Sequence, residues 1–192
     1  MQIAVSLEIH EQMELLTHGA ILHDLGKTSI AKSVLYKQGT LTKEEKEIIK
    51  LHTVIGAQIL EKEGFPKELQ EIVLYHHEYW DGNGYLGLTG ENIPFLAQII
   101  SLADAMDAMI SNRTYRAVLS PLEVFSEIQN CCGSQFSPGL VQNLKQSQFW
   151  PIGDSCSEKV SSVMVWESQW LKCLADVFDD LHHPLLLIQI QK

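Results

Sequence analysis

His23-Asp24, His52, His76-His77 and Asp104 form an ordered series of nitrogen and oxygen donors. Neutral imidazole and carboxylate are ligands for divalent transition metals, and a carboxylate such as Asp24 can bridge two ions. Four of the chain's eight histidines fall in this series. Two ions a few ångströms apart would serve phosphodiester cleavage, activating water at neutral pH and offsetting the charge that develops on the phosphoryl group. Lys27, one turn beyond His23, would stabilise a phosphate or a leaving oxygen. It reads equally well as a cation at a helix C-terminus. Asp107 would act as a proton donor or as a hydrogen-bond partner of a ligand. Arg113 and Arg116 would clamp phosphates. Each residue also has an ordinary reading. His52 would be an exposed histidine, Asp104 a salt bridge or cap, and the two arginines solvated charges. The set together is far less expected by chance than any member.

These side chains need elements to hold them. Leu7, Leu15, Leu16, Ala20, Ile21 and Leu22 followed by Gly26 predict a helix within 7–26 that ends near His23-Asp24. Thr42 with Glu45 reads as a capping box opening a helix through His52 to about Leu60. Gly64-Phe65-Pro66 marks a turn, and a further helix runs from Pro66 to His76-His77. Residues 81–94 are rich in Gly, Asn and Asp and predict a loop ending at Pro94. Phe95 to Met109 is apolar except for Gln98, Ser101, Asp104 and Asp107. That predicts a buried helix with two carboxylates at i and i+3 on one face. An ionised carboxylate there is costly unless it is paired or bound to metal. Ser120-Pro121 with Glu123 opens another helix, and Ser137-Pro138 a short one. Trp166, Trp170, Leu171, Leu174, Phe178 and Leu181 have the spacing of an amphipathic helix, and the apolar stretch at 185–190 that of a short strand. A boundary is expected near 146–155.

Composition narrows the functional classes. The 192 residues are 45% hydrophobic and carry a formal net charge of -10. That suits one or two small domains with a real core. It argues against binding to DNA, RNA or an anionic membrane, which calls for a basic patch. A small phosphorylated substrate stays compatible, because metal ions supply positive charge locally. Cys131, Cys132, Cys156 and Cys173 follow no metal-finger spacing and read as reduced cytoplasmic thiols. The apolar run Leu185 to Ile188 is too short to span a membrane, and no secretory signal is evident at the N-terminus.

Taken as motifs, these residues resemble the HD-GYP family, a branch of the HD phosphohydrolase superfamily. The resemblance rests on His23-Asp24-Leu25-Gly26-Lys27, His52, and the run from His76-His77-Glu78 through Trp80-Asp81-Gly82-Asn83-Gly84-Tyr85. It continues through Asp104-Ala105-Met106-Asp107, Asn112-Arg113-Thr114-Tyr115-Arg116 and Gly133-Ser134-Gln135-Phe136-Ser137-Pro138, from residue 3 to about 145. The resemblance implies an all-α, HD-domain helical bundle over 1–146, with an unassigned C-terminal extension over 147–192. It implies two or three divalent ions, iron or manganese, and hydrolysis of cyclic di-GMP to pGpG or GMP in bacterial second-messenger signalling. Some members act on related cyclic dinucleotides. By analogy Asp24 bridges the ions, His23 and Asp104 hold one, and His52, His76 and His77 hold the other. Lys27 then faces the scissile phosphate, assisted by Asp107, and Tyr85, Arg113 and Arg116 line the nucleotide site. Diguanylate cyclase domains are implied partners, a homodimer is left open, and the cytoplasm is the expected location.

The chain departs from the family in two ways. Leu86 stands where the family has proline after the tyrosine. The family's further histidine, upstream of the His-Asp pair, would fall before Met1. His10 and His18 are not spaced to replace it, His18 lying about 140° round a helix from His23. The alternative expectation is a catalytically incomplete module that binds cyclic di-GMP or a protein partner without turnover.

Overall fold

The computed structural model describes residues 12–111 and 119–146. Among these the chain is helical, with no strand and one isolated bridge between Cys132 and Phe136. The all-α expectation therefore holds for the described residues. Helix α1 spans Met13–Leu22 and ends as expected just before His23, passing into a 3-10 turn over Leu25–Ser29. A four-residue helix α2, Lys32–Leu35, follows. It is too short to leave a periodic signature and was not anticipated. The proposed tail helix, the strand at 185–190, Arg113 and Arg116 lie outside the described residues.

Helix α3, Lys43–Lys62, opens with the full capping box. Thr42 Oγ1 accepts from the Glu45 amide at 3.2 Å, and Glu45 Oε2 accepts from the Thr42 amide at 2.8 Å. Lys37 donates to both oxygens of Glu45. Gly64, at φ +77°, reverses the chain after α3, a backbone conformation that a Cβ disfavours. Helix α4, Lys67–Tyr75, then runs back along α3. Helix α5, Phe95–Ile110, follows Pro94. Ser120 and Glu123 cap α6, Pro121–Asn130, in the same reciprocal way, and α7 covers Pro138–Gln146.

The core is built from one stripe of each of the longer helices, together with Phe136. Leu60 of α3, Leu69, Ile72 and Val73 of α4, and Leu102 of α5 are fully or almost fully buried, as are Ile128, Phe136, Leu140 and Leu144. α3 packs on α4 and on the 3-10 turn, and α1 and α5 both pack against α4. The crossing of the 3-10 turn on α3 is made close by glycines. A Cβ on Gly26 would lie 1.9 Å from the His52 carbonyl oxygen. That approach brings the exit of α1 onto the middle of α3, where His52 sits.

Candidate metal centre

Three helix ends or midpoints deliver the histidines, and each is aimed by its own backbone. His23 is the C-cap of α1, and its Nδ1 lies 2.8 Å from the Ala20 carbonyl. His52 opens the buried stripe of α3, with Nδ1 2.7 Å from the Ile49 carbonyl. His76 caps α4, with Nδ1 2.8 Å from the Val73 carbonyl. A carbonyl oxygen can only accept, so Nδ1 carries the proton in each ring. In the neutral ring Nε2 then keeps its lone pair, the form in which imidazole binds a metal. His52 and His76 are 0% exposed. An exposed His52 was the ordinary alternative, and the tertiary packing removes it.

The donors then meet. One ligand atom each from Asp24, His52, His76 and His77 lies within 4.8 Å of all the others. The Nε2 atoms of His52 and His76 are 3.4 Å apart, so that with both rings neutral and protonated on Nδ1 two lone pairs face each other. Asp24 Oδ1 is buried with no hydrogen bond, although it approaches His52 Nε2 to 3.3 Å. Acceptors crowded on acceptors are unfavourable unless a cation sits among them. The site therefore fits a divalent metal ion, with nitrogen and carboxylate donors of the type such ions take.

Electrostatics hold the ligands in metal-binding protonation states. Burial, with the neighbouring His77, His23 and His52, pushes His76 well below the usual imidazole range, against the raising effect of its Val73 hydrogen bond. Burial and the adjacent His52 lower His77 to about 4. Burial of Asp24 disfavours its charge, but His52, His23 and Lys27 outweigh this and hold the carboxyl well below its usual range. Neutral imidazoles and an ionised carboxylate are what a metal requires. One consequence is measurable without the metal. His77 has a folded-state pKa below its unfolded value of 6.5, so the unfolded chain binds more protons between the two values. The contribution of His77 to stability is full above pH 6.5 and is lost as pH drops toward 4. That loss amounts to about 3 kcal/mol. Denaturant titrations of the chelated protein across this window are expected to show it. A flat profile would contradict the buried neutral cluster.

The other expected residues are distributed as follows. Lys27 reaches Asp24 Oδ2 at 2.5 Å, and His23 Nε2 lies 3.5 Å from the same oxygen. The His23 ring is 5.1 Å from that of His76. His23 and Asp104 are not part of the four-donor group. Asp104 is half-buried on α5, and it is one of the charges that, after burial and Tyr79, raise the pKa of Tyr85. Asp107 is exposed, with Oδ2 accepting from the Ser111 hydroxyl at 3.3 Å. The Tyr85 ring lies 4.7 Å from that of His77 and 6.3 Å from that of His52. Two neighbours carried no assigned role in the sequence, although Glu78 stands within the motif run. Lys50 Nζ sits 5.6 Å from the Tyr85 ring centre. Glu78 is a buried carboxylate immediately after His77. Adjacency to the paired histidines was the only available signal for Glu78, and nothing local marks Lys50.

Comparison with known proteins agrees with this geometry. The family model described as HD domain matches residues 3–140. A cyclic di-GMP phosphodiesterase of Thermotoga maritima is 46% identical over 127 residues, covering 64% of this chain and 34% of the relative. A cyclic di-GMP phosphodiesterase of Vibrio cholerae is 42% identical over 138 residues, covering 68% and 28%. The chain thus spans about a third of the length of these curated relatives. The solved structure of an HDG"Y"P protein from Bdellovibrio bacteriovorus superposes with a TM-score of 0.59 at 28% identity, over 75% of this chain and 47% of that one. With its buried His-Asp cluster at the meeting of α1, α3 and α4, the chain belongs to the HD domain family, on its HD-GYP branch.

Proposed function

We propose that this chain is a metal-dependent phosphodiesterase that hydrolyses cyclic di-GMP to pGpG or GMP. The observation that carries the reading is the convergence of Asp24, His52, His76 and His77 within 4.8 Å, with the Asp24 carboxyl held ionised and His76 and His77 held neutral. The names of the relatives supply the substrate class. The bound ions, two or three and of iron or manganese, would supply Lewis acidity and a nucleophile at neutral pH. Asp24, His23 and Asp104 would hold one ion, and Asp24 with His52, His76 and His77 the other. Lys27 transfers its contact from Asp24 Oδ2 to a phosphate oxygen, and with Asp107 it assists the leaving oxygen. Tyr85 offers its ring to a guanine base, with Arg113 and Arg116 on the phosphates. In this reading the domain covers residues 1–146, residues 147–192 have no assigned role, and the protein acts in the cytoplasm. Among the described residues no helix is long and apolar enough to cross a membrane. A diguanylate cyclase domain and a second copy of the chain are the partners in this reading.

The test is metal content per chain after anaerobic purification, followed by turnover of cyclic di-GMP with chromatography of the products. Two or more ions with linear product support the reading. A loaded protein that leaves cyclic di-GMP intact rejects it.

The absence of His23 and Asp104 from the four-donor group favours one second reading. In it the site holds too few ions for turnover, and the module binds cyclic di-GMP or a protein partner. Tyr85→Ala separates binding of this dinucleotide from action on another nucleotide. Loss of a stacked base weakens cyclic di-GMP binding about tenfold, readable by calorimetry. Unchanged affinity would remove Tyr85 from the nucleotide site.

A further inference from the structure

Glu78 follows a metal-cluster histidine directly and is 3% exposed, yet it is not one of the clustered donors. Both of its oxygens are already engaged. Oε1 accepts from the Leu86 amide and Oε2 from the Leu88 amide, each at 2.6 Å. A carboxylate presents two acceptors side by side, and here they take two amides two residues apart in a loop. Such charge-assisted bonds compensate the burial of the charge. The same loop is pressed down from its other end. A Cβ on Gly84 would fall 2.5 Å from Glu78 Cα, 2.6 Å from the Tyr79 nitrogen and 2.8 Å from the His77 oxygen. Only glycine lets the backbone lie against residues 77–79 in this way. Tyr85 stands between the two fastenings, and its ring rests 4.7 Å from that of His77.

We propose that Glu78 is a positioning residue that latches the Gly84–Leu88 loop onto the metal centre and thereby sets Tyr85 where substrate binds. Glu78 touches neither metal nor substrate. It acts through Tyr85, so its loss weakens substrate capture while leaving the metal ligands in place. The activity readout rests on the phosphodiesterase reading; the loop readout does not.

The experiment compares Glu78→Gln with wild type, both as metal-loaded chain. Glutamine keeps the shape but offers one acceptor and sets an NH2 group against the second amide. Hydrogen exchange at the Leu86 and Leu88 amides is expected to accelerate at least about tenfold, with α3 amides unchanged. The KM for cyclic di-GMP is expected to rise about tenfold, with kcat within about threefold and metal content unchanged. Gly84→Ala lifts the loop from the other end and is expected to give the same pattern, which keeps the test open should E78Q not fold. Unchanged exchange at both amides overturns the latch. So does a fall in kcat and metal content at unchanged KM, which is the signature of a general structural role. Wild-type protein that turns over no cyclic di-GMP rejects the functional reading alone, and the exchange rates then decide the latch.

Discussion

Asp24→Ala is expected to reduce cyclic di-GMP turnover by at least about a thousandfold, with metal content per chain falling in parallel. No other carboxylate belongs to the four-donor group, so none replaces it. Its Oδ1 is buried without a hydrogen bond, and its Oδ2 is shared between Lys27 and His23. Alanine would leave the three imidazoles with no negative charge among them, and a dication would be bound only by neutral donors. The substitution also frees Lys27, so a partial loss from disturbed phosphate contacts adds to the loss of metal. Activity and metal are read together, by turnover and elemental analysis of the same preparation. Full turnover in the variant would sink the proposed mechanism. Loss of turnover with full metal content would shift the role of Asp24 from holding the ions to orienting the nucleophile.

Gly26→Ala is expected to produce the largest stability change of any single methyl addition in this region. The added Cβ would meet the His52 oxygen at 1.9 Å, the Gly56 nitrogen at 2.7 Å and the His52 carbonyl carbon at 2.8 Å. All three are backbone atoms, so no rotamer change relieves the overlap. The 3-10 turn has to move away from α3, opening a gap between two packed elements. A cost of more than about 3 kcal/mol follows. For a unit of this size that is a fall in Tm of roughly 6–12 °C. The same movement carries Asp24 away from His52, so metal content is expected to drop as well. Gly56→Ala is the control. Its Cβ meets the Val73 Cγ1 atom at 2.9 Å, a side chain that can shift, and the Gly26 backbone nitrogen at 3.3 Å, far less closely than the 1.9 Å approach on the other side of the crossing. Its cost should be clearly smaller. Equal melting temperatures for Gly26→Ala and wild type would mean that the close crossing is absent in solution.

The ends of the helices were legible because they are fixed by neighbours in the chain. Thr42 with Glu45 and Ser120 with Glu123 close their capping boxes within four residues, and both boxes formed. The apolar run from Phe95 became α5 with its end within one residue of Met109. The order of histidines and aspartates was also visible, and with it the family and the all-α class.

What the sequence determined by itself was therefore the local elements and the inventory of chemistry: four histidines, the carboxylates and a lysine at family spacing. Tertiary structure alone decided how that inventory is used. It turned His52 from a residue in a polar run into one that is wholly buried and faces His76. It drew Asp24, His52, His76 and His77 into one group and left His23 and Asp104 outside it. It also gave Glu78 its task, since its partners at Leu86 and Leu88 are eight and ten residues away round a loop. The physical reason is the same in each case. Hydrogen bonds within a turn depend on spacing along the chain, whereas burial, lone-pair crowding and close backbone approach depend on which segments fold against one another.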